Sequence, residues 1–165
     1  MIDIAALIRL LSQNGVEFIV IRGVAAAAHG SARATFDLDV VYRRSPENIE
    51  RVASCLSQHT PSLRGAPAGL PFRFDADTIS KGLNFTLDTD LGPLDFLGEV
   101  ASGIRFEQLL PDAIQLKVFG VSCLCLGLKR LIQIKLLAGR RKDLEAVAEL
   151  EVLLEESEQH PPNSE

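Results

Sequence analysis

Phe36-Asp37-Leu38-Asp39-Val40-Val41 is the stretch on which the reading of this chain turns. Two carboxylates stand two positions apart inside an apolar, β-branched run, and such a run reads as a strand. Side chains alternate between the faces of a strand. Phe36, Leu38 and Val40 are therefore expected in a core, with Asp37 and Asp39 together on the opposite face. Two adjacent carboxylates repel, and a hard divalent cation between them relieves the repulsion. The stretch is thus a candidate magnesium site for phosphoryl-type chemistry. Two solvated acids on an exposed strand are the plainer alternative, and the flanking sequence weighs between the two.

Upstream, Asp3 can cap a helix whose Ile4, Leu7, Ile8 and Leu11 recur on one face, with Asn14-Gly15 ending it. Val16 to Ile21 reads as a buried strand. Arg22-Gly23 and the alanines 25–28 then read as a turn and the start of a helix, which ends near His29-Gly30. Backbone N–H groups at such a junction can hold a phosphate, although a single glycine also serves simply to make a tight turn. Arg33 suits either a triphosphate or a nearby carboxylate.

Downstream, Ser45-Pro46 opens a helix with Ile49, Val52, Ala53 and Leu56 inward. His59 to Pro71, rich in Pro, Gly and Ser, is expected to be an exposed, mobile loop. Phe72-Arg73-Phe74 and Leu83 to Asp88 alternate as strands do. Thr89 to Gly92 turns the chain, and Pro93 to Gly98 returns it as a hairpin. Asp95 stands alone among Leu94, Phe96 and Leu97, so it needs a partner or a role and is a candidate third metal carboxylate. A short helix at 106–110 and strands at 114–119 and 121–126 follow. A long helix then begins after Gly127, with Leu128, Leu131, Ile132, Ile134 and Leu136 toward the core and Lys135 among them. Such a lysine snorkels to solvent or points into a site. After the cationic Arg140-Arg141-Lys142, a last helix near 144–156 carries Leu144, Val147, Leu150 and Leu154 inward.

The 165 residues suffice for one domain with a core, placed at 1–156, followed by a disordered tail at 157–165. A net charge of −5 argues against a generally basic nucleic-acid coat. Arg43, Arg44 and Arg51 with Arg140, Arg141 and Lys142 still offer a local basic rim for RNA, scattered solubilising charges being the alternative. Three cysteines without a CxxC pair suggest reduced thiols. A cytoplasmic protein is expected, since no basic leader or bilayer-length apolar run is present.

Three blocks together resemble the nucleotidyltransferase superfamily with the DNA polymerase β-type catalytic core, and within it the minimal bacterial group that includes the abortive-infection type toxin nucleotidyltransferases. The first runs from Gly23-Val24-Ala25 through His29-Gly30-Ser31, Arg33-Ala34-Thr35 and Asp37-Leu38-Asp39. The second is Gly92-Pro93-Leu94-Asp95-Phe96-Leu97, and the third extends from Leu131-Ile132 through Lys135 and Arg140 to Asp143-Leu144. One departure stands out: Arg22 occupies the place where the family usually has the first of two adjacent glycines.

The resemblance implies an α+β nucleotidyltransferase fold, with a mixed central β-sheet flanked by α-helices and C-terminal helices packed on the core. It implies an enzyme that moves a nucleoside monophosphate from a nucleoside triphosphate, such as ATP, to an acceptor hydroxyl on an RNA end or a protein side chain. Asp37, Asp39 and Asp95 would hold two Mg2+ ions, with Lys135 completing the catalytic set. Gly23, Val24, Arg33, Thr35, Lys135, Arg140 and Lys142 would meet the nucleotide, and Asp143 would position Lys135 or Arg140. A cognate toxin or antitoxin protein is an implied partner. The alternatives are a catalytically degenerate binding module on the same fold, which Arg22 motivates, and an antitoxin that nucleotidylates a partner protein.

Overall fold

The computed structural model describes residues 2–67, 69–101 and 103–160, without the side chain of Lys142. Helix α1 (Ile4–Gln13) begins where Asp3 accepts the Ala6 N–H at 2.9 Å. Its Ile4, Leu7, Ile8 and Leu11 are buried, as their spacing predicts. Gly15, at φ +70°, lets the chain reverse into strand β1 (Phe18–Ile21). Helix α2 (Arg22–Ala28) follows β1 with no intervening loop. Strand β2 (Leu38–Tyr42) and helix α3 (Pro46–Leu56), capped by Ser45, complete the N-terminal half.

A seven-stranded mixed sheet organises the fold. Strands β3 (Ser62–Leu63), β4 (Asn84–Thr89), β5 (Gly92–Leu97), β8 (Ala113–Val118) and β9 (Val121–Leu126) join β1 and β2 in the order β3-β4-β5-β2-β1-β9-β8. Strand β2 runs antiparallel to β1 and parallel to β5. All residues of β1 and β2 are buried, so both faces of these central strands are covered. Strands β6 (Glu99–Val100) and β7 (Ile104–Arg105) form a separate two-stranded ribbon. Helices α4 (Ala76–Lys81) and α5 (Phe106–Leu109) are short, while α6 (Leu128–Ala138) and α7 (Arg141–Gln159) pack on each other. Gly139 at φ +66° makes the turn between them. Among the described residues no helix is long and apolar enough to cross a membrane.

Several expectations are corrected. Strand β2 begins at Leu38, so Phe36 lies before the sheet and is 66% exposed instead of buried. Residues 72–74 form no strand, because Phe74 uses its ring against Phe85, edge to face at 5.3 Å, without joining a ladder. The segment 59–71 is not wholly a loose loop: Ser62 and Leu63 pair with Asp88 and Leu87. Leu136 and Leu144 face outward, both being at least half exposed, because the α6–α7 pair buries a narrower stripe than periodicity suggests. Helix α7 runs to Gln159, past the expected boundary at 156, and residues 161–165 of the expected tail lie outside the described residues. Arg43 and Arg44, two members of the expected basic rim, are engaged internally. Arg43 pairs with Glu17 and stacks over Phe106, and Arg44 donates to Tyr42 Oη and to the Ile79 and Ser80 carbonyls.

The start of β1 is tied to α3 by one residue that pattern reading passed over. Asn48 is fully buried, accepts the Glu17 N–H at 2.7 Å, and donates to the carbonyls of Glu17 and Arg43 at 3.0 and 2.7 Å. Removing the amide orphans buried backbone groups. Asn48→Ala is therefore expected to lower unfolding stability by about 2–4 kcal/mol, read from urea denaturation.

Candidate active site

The parallel ladder of β2 on β5 sets Asp39 directly opposite Asp95, with Leu38 opposite Leu94 and Val40 opposite Phe96. Apolar partners on either side pin this register, since a one-residue slip would turn every buried side chain to the wrong face. Register partners share a face, so the two carboxylates lie side by side, both more than nine-tenths buried. Asp37 sits just ahead of β2, half-buried. One carboxylate oxygen from each of Asp37, Asp39 and Asp95 lies within 4.8 Å of the other two. The expected convergence of three acids is present, although Asp37 reaches it from the approach to the strand and not from the strand itself.

Two guanidinium groups meet these acids. Arg22 Nη1 lies 3.2 Å from Asp39 Oδ1 and 3.9 Å from Asp95 Oδ2. Its backbone has φ +57°, a left-handed conformation that a non-glycine residue adopts at a cost of about 1–2 kcal/mol. Gly23 is constrained by space instead: a Cβ there would stand 3.0 Å from Thr35 Oγ1. Arg64 Nη1 lies 2.9 Å from Asp95 Oδ1 on the other side. Arg64 also donates to the Leu87 carbonyl at 2.8 Å and to Asp88 at 3.3 Å. Sequence reasoning missed Arg64, because it stands in the Pro/Gly-rich segment; the signal that could have found it is the short Ser62-Leu63 extension that pairs with β4. The Arg64 contact to Asp95 Oδ1 is off the N–H direction, so this buried oxygen accepts no aligned hydrogen bond.

The electrostatics follow from burial. Burial first, then the hydrogen bond and negative charge of Asp95, push the Asp39 carboxyl up to about 7, against the opposing pull of Arg22. A third acid, Asp37, adds to the rise. Three hard oxygen donors at this spacing fit Mg2+ or Mn2+.

A cleft of about 410 Å3 opens beside the acids, between the sheet and the α6–α7 pair. Arg22 and Gly23 line it from the first turn of α2, where no side chain caps the helix. Val24 is fully buried and offers the cleft at most its backbone. Lys135 of α6 and Arg140 line the far wall. Both meet buried Asp143, Lys135 Nζ at 3.9 Å and Arg140 Nε at 2.9 Å, so Asp143 lies between the two cations. Burial lowers the Lys135 pKa, with Asp143 opposing and the charges of Arg22, Arg140 and Arg33 assisting. Arg33 is committed to a two-point ion pair with Glu149 of α7, at 2.7 and 2.9 Å, the carboxylate alternative of the two that its position suggested. Thr35 donates to the Asp37 carbonyl at 3.3 Å and so shapes the approach of that acid. The expectation for Lys142 falls on a side chain outside the described set.

Comparison with known proteins supports the fold. The chain superposes on the crystal structure of a Thermotoga maritima protein, TM1012, provisionally named a nucleotidyltransferase. The TM-score is 0.53 at 16% identity, over 90% of this chain and 94% of that one. The mixed sheet flanked by helices is thus a nucleotidyltransferase fold. No protein-family model matches the sequence, and neither does any curated protein.

The raised Asp39 carboxyl has a measurable consequence. Its proton is held more tightly in the folded protein, at about 7, than in the unfolded chain, near 3.8. Folded molecules therefore bind more protons between these values, and this site's contribution to stability falls as pH rises from about 4 to about 7. With divalent ions chelated, urea midpoints across this range are expected to fall more steeply for wild type than for Asp39→Asn.

Proposed function

We propose that this protein is a magnesium-dependent nucleotidyltransferase that moves a nucleoside monophosphate from a nucleoside triphosphate to an acceptor hydroxyl. The observation that carries the reading is the convergence of Asp37, Asp39 and Asp95 along one side of a basic-walled cleft on this fold. Asp37, Asp39 and Asp95 would hold two divalent ions, which when bound lower the pKa of the acceptor hydroxyl and stabilise the leaving pyrophosphate. The remaining roles belong to the chain. Lys135, held by Asp143, presents a fixed positive charge to the phosphates in a partly water-excluded wall, where preorganised charge counts most. Arg140 extends that wall. Gly23, whose missing side chain leaves room for Thr35, lines the cleft beside the acids. The Arg33–Glu149 pair fixes one side of the cleft opening and is a boundary of the nucleotide site more than a ligand.

The acceptor in this reading is an RNA end or a protein side chain. The likeness of the three sequence blocks to abortive-infection type enzymes favours a role within a toxin–antitoxin pair, as toxin or as an antitoxin that nucleotidylates its partner. One observation favours a second reading, a non-catalytic nucleotide-binding or partner-binding module: Arg22 replaces a family glycine and places its guanidinium on the acids.

The experiment is transfer of α-labelled nucleoside triphosphates to RNA and protein from a cell extract, with Mg2+ present. Label is expected on an acceptor with wild type and to be lost with Asp39→Ala or Asp95→Ala. Lys135→Ala is expected to reduce kcat/KM for the triphosphate by about 100-fold while circular dichroism stays unchanged. Absence of transfer, together with partner binding indifferent to Mg2+ and to Asp37→Ala in calorimetry, would establish the module instead.

A further inference from the structure

Arg22 combines two observations that have no common structural necessity. It takes a left-handed backbone conformation that glycine adopts without strain, and its guanidinium lies between two buried acids. Strain of this kind persists where the side chain gives something in return. What it gives is a positive charge beside carboxylates that otherwise repel in a nearly water-free position. Arg64 supplies a second charge to Asp95, yet the two arginines are held differently. Arg64 is anchored to the Leu87 carbonyl and to Asp88 as well as to Asp95. The ion-pair partners of Arg22 among the described residues are the acids themselves, and its side chain is 45% exposed toward the cleft. Arg64 is thus anchored by the backbone and by a second acid, and Arg22 by the two buried acids.

We propose that Arg22 is a displaceable resident counter-ion, holding Asp39 and Asp95 together in the metal-free protein and giving up its place when a divalent ion binds. The inference rests on the reading of the three acids as a metal site. A divalent ion on the oxygens that Arg22 now contacts meets a like charge at hydrogen-bond range. Metal binding therefore includes the work of expelling the guanidinium, and the site binds metal more weakly than three carboxylates alone would. Arg64, on the far oxygen of Asp95, keeps that carboxylate oriented throughout.

Mn2+ affinity measured by titration calorimetry at pH 8, without nucleotide, tests this. Arg22→Gly removes the charge and also relieves the backbone strain, so the fold is retained. It is expected to bind Mn2+ at least 10-fold more tightly than wild type and to gain the larger rise in Tm on Mn2+ addition. Arg22→Lys, which keeps a charge, is expected to stay near wild type. Arg22→Gln carries the same expectation as the glycine variant should that one not fold. Equal or weaker Mn2+ binding by the uncharged variants overturns the counter-ion role while leaving the metal site intact. No Mn2+ binding by any variant overturns both the inference and the metal site beneath it.

Discussion

The lateral pairing of Asp39 with Asp95 across two parallel strands is the constraint from which the rest of the site follows. Neither acid has a choice of position. Each is flanked along its own strand by residues that must be buried, and the parallel ladder locks those residues opposite one another. Leu38, Val40, Leu94 and Phe96 are all fully buried. The hydrophobic effect, which favours burying them, thus forces two carboxylates into contact in a place from which water is largely excluded.

That conflict is answered by the surroundings. Arg22 and Arg64 approach the pair from opposite sides, one from the β1–α2 junction and one from the end of β3. Even so, burial and the hydrogen bond with Asp95 outweigh the pull of Arg22 at Asp39, whose carboxyl is pushed up to about 7. A buried cluster of acids that its own cations do not fully neutralise is a site with residual demand for positive charge. This demand, and not the mere presence of acids, is what supports the proposal of a divalent ion there.

The opposite wall is organised by the same logic with the signs exchanged. Asp143 is buried beneath Lys135 and Arg140 and holds both toward the cleft. Arg33 and Glu149 join the segment before β2 to α7, so the acids and the basic wall are tied together by an ion pair 116 residues apart in sequence. A cleft with an acidic floor and a basic wall is what the proposed substrate, a nucleoside triphosphate with its divalent cations, requires.

Local pattern carried much of this. Cap residues, periodicity and turn glycines located most helices and strands, because each depends on residues within one or two turns of chain. Asp37, Asp39, Asp95 and Lys135 were legible for a related reason: a charged group inside an apolar run contradicts its own surroundings, and the contradiction is local. Arg64, the ion pair of Arg33 with Glu149, and the bridging of two acids by Arg22 left no such mark, since their partners come from distant segments and their neighbours are ordinary loop or turn residues. The outward faces of Leu136 and Leu144 were misread because periodicity states which residues share a side of an element, while the width of the buried stripe is set by what packs against it; Phe36 was misread because the strand begins two residues later, at Leu38. The chain's one-dimensional order thus dictated its elements and its acids; their convergence, and the cations that answer them, arose from strand register and packing, because charge acts through space and not along the chain.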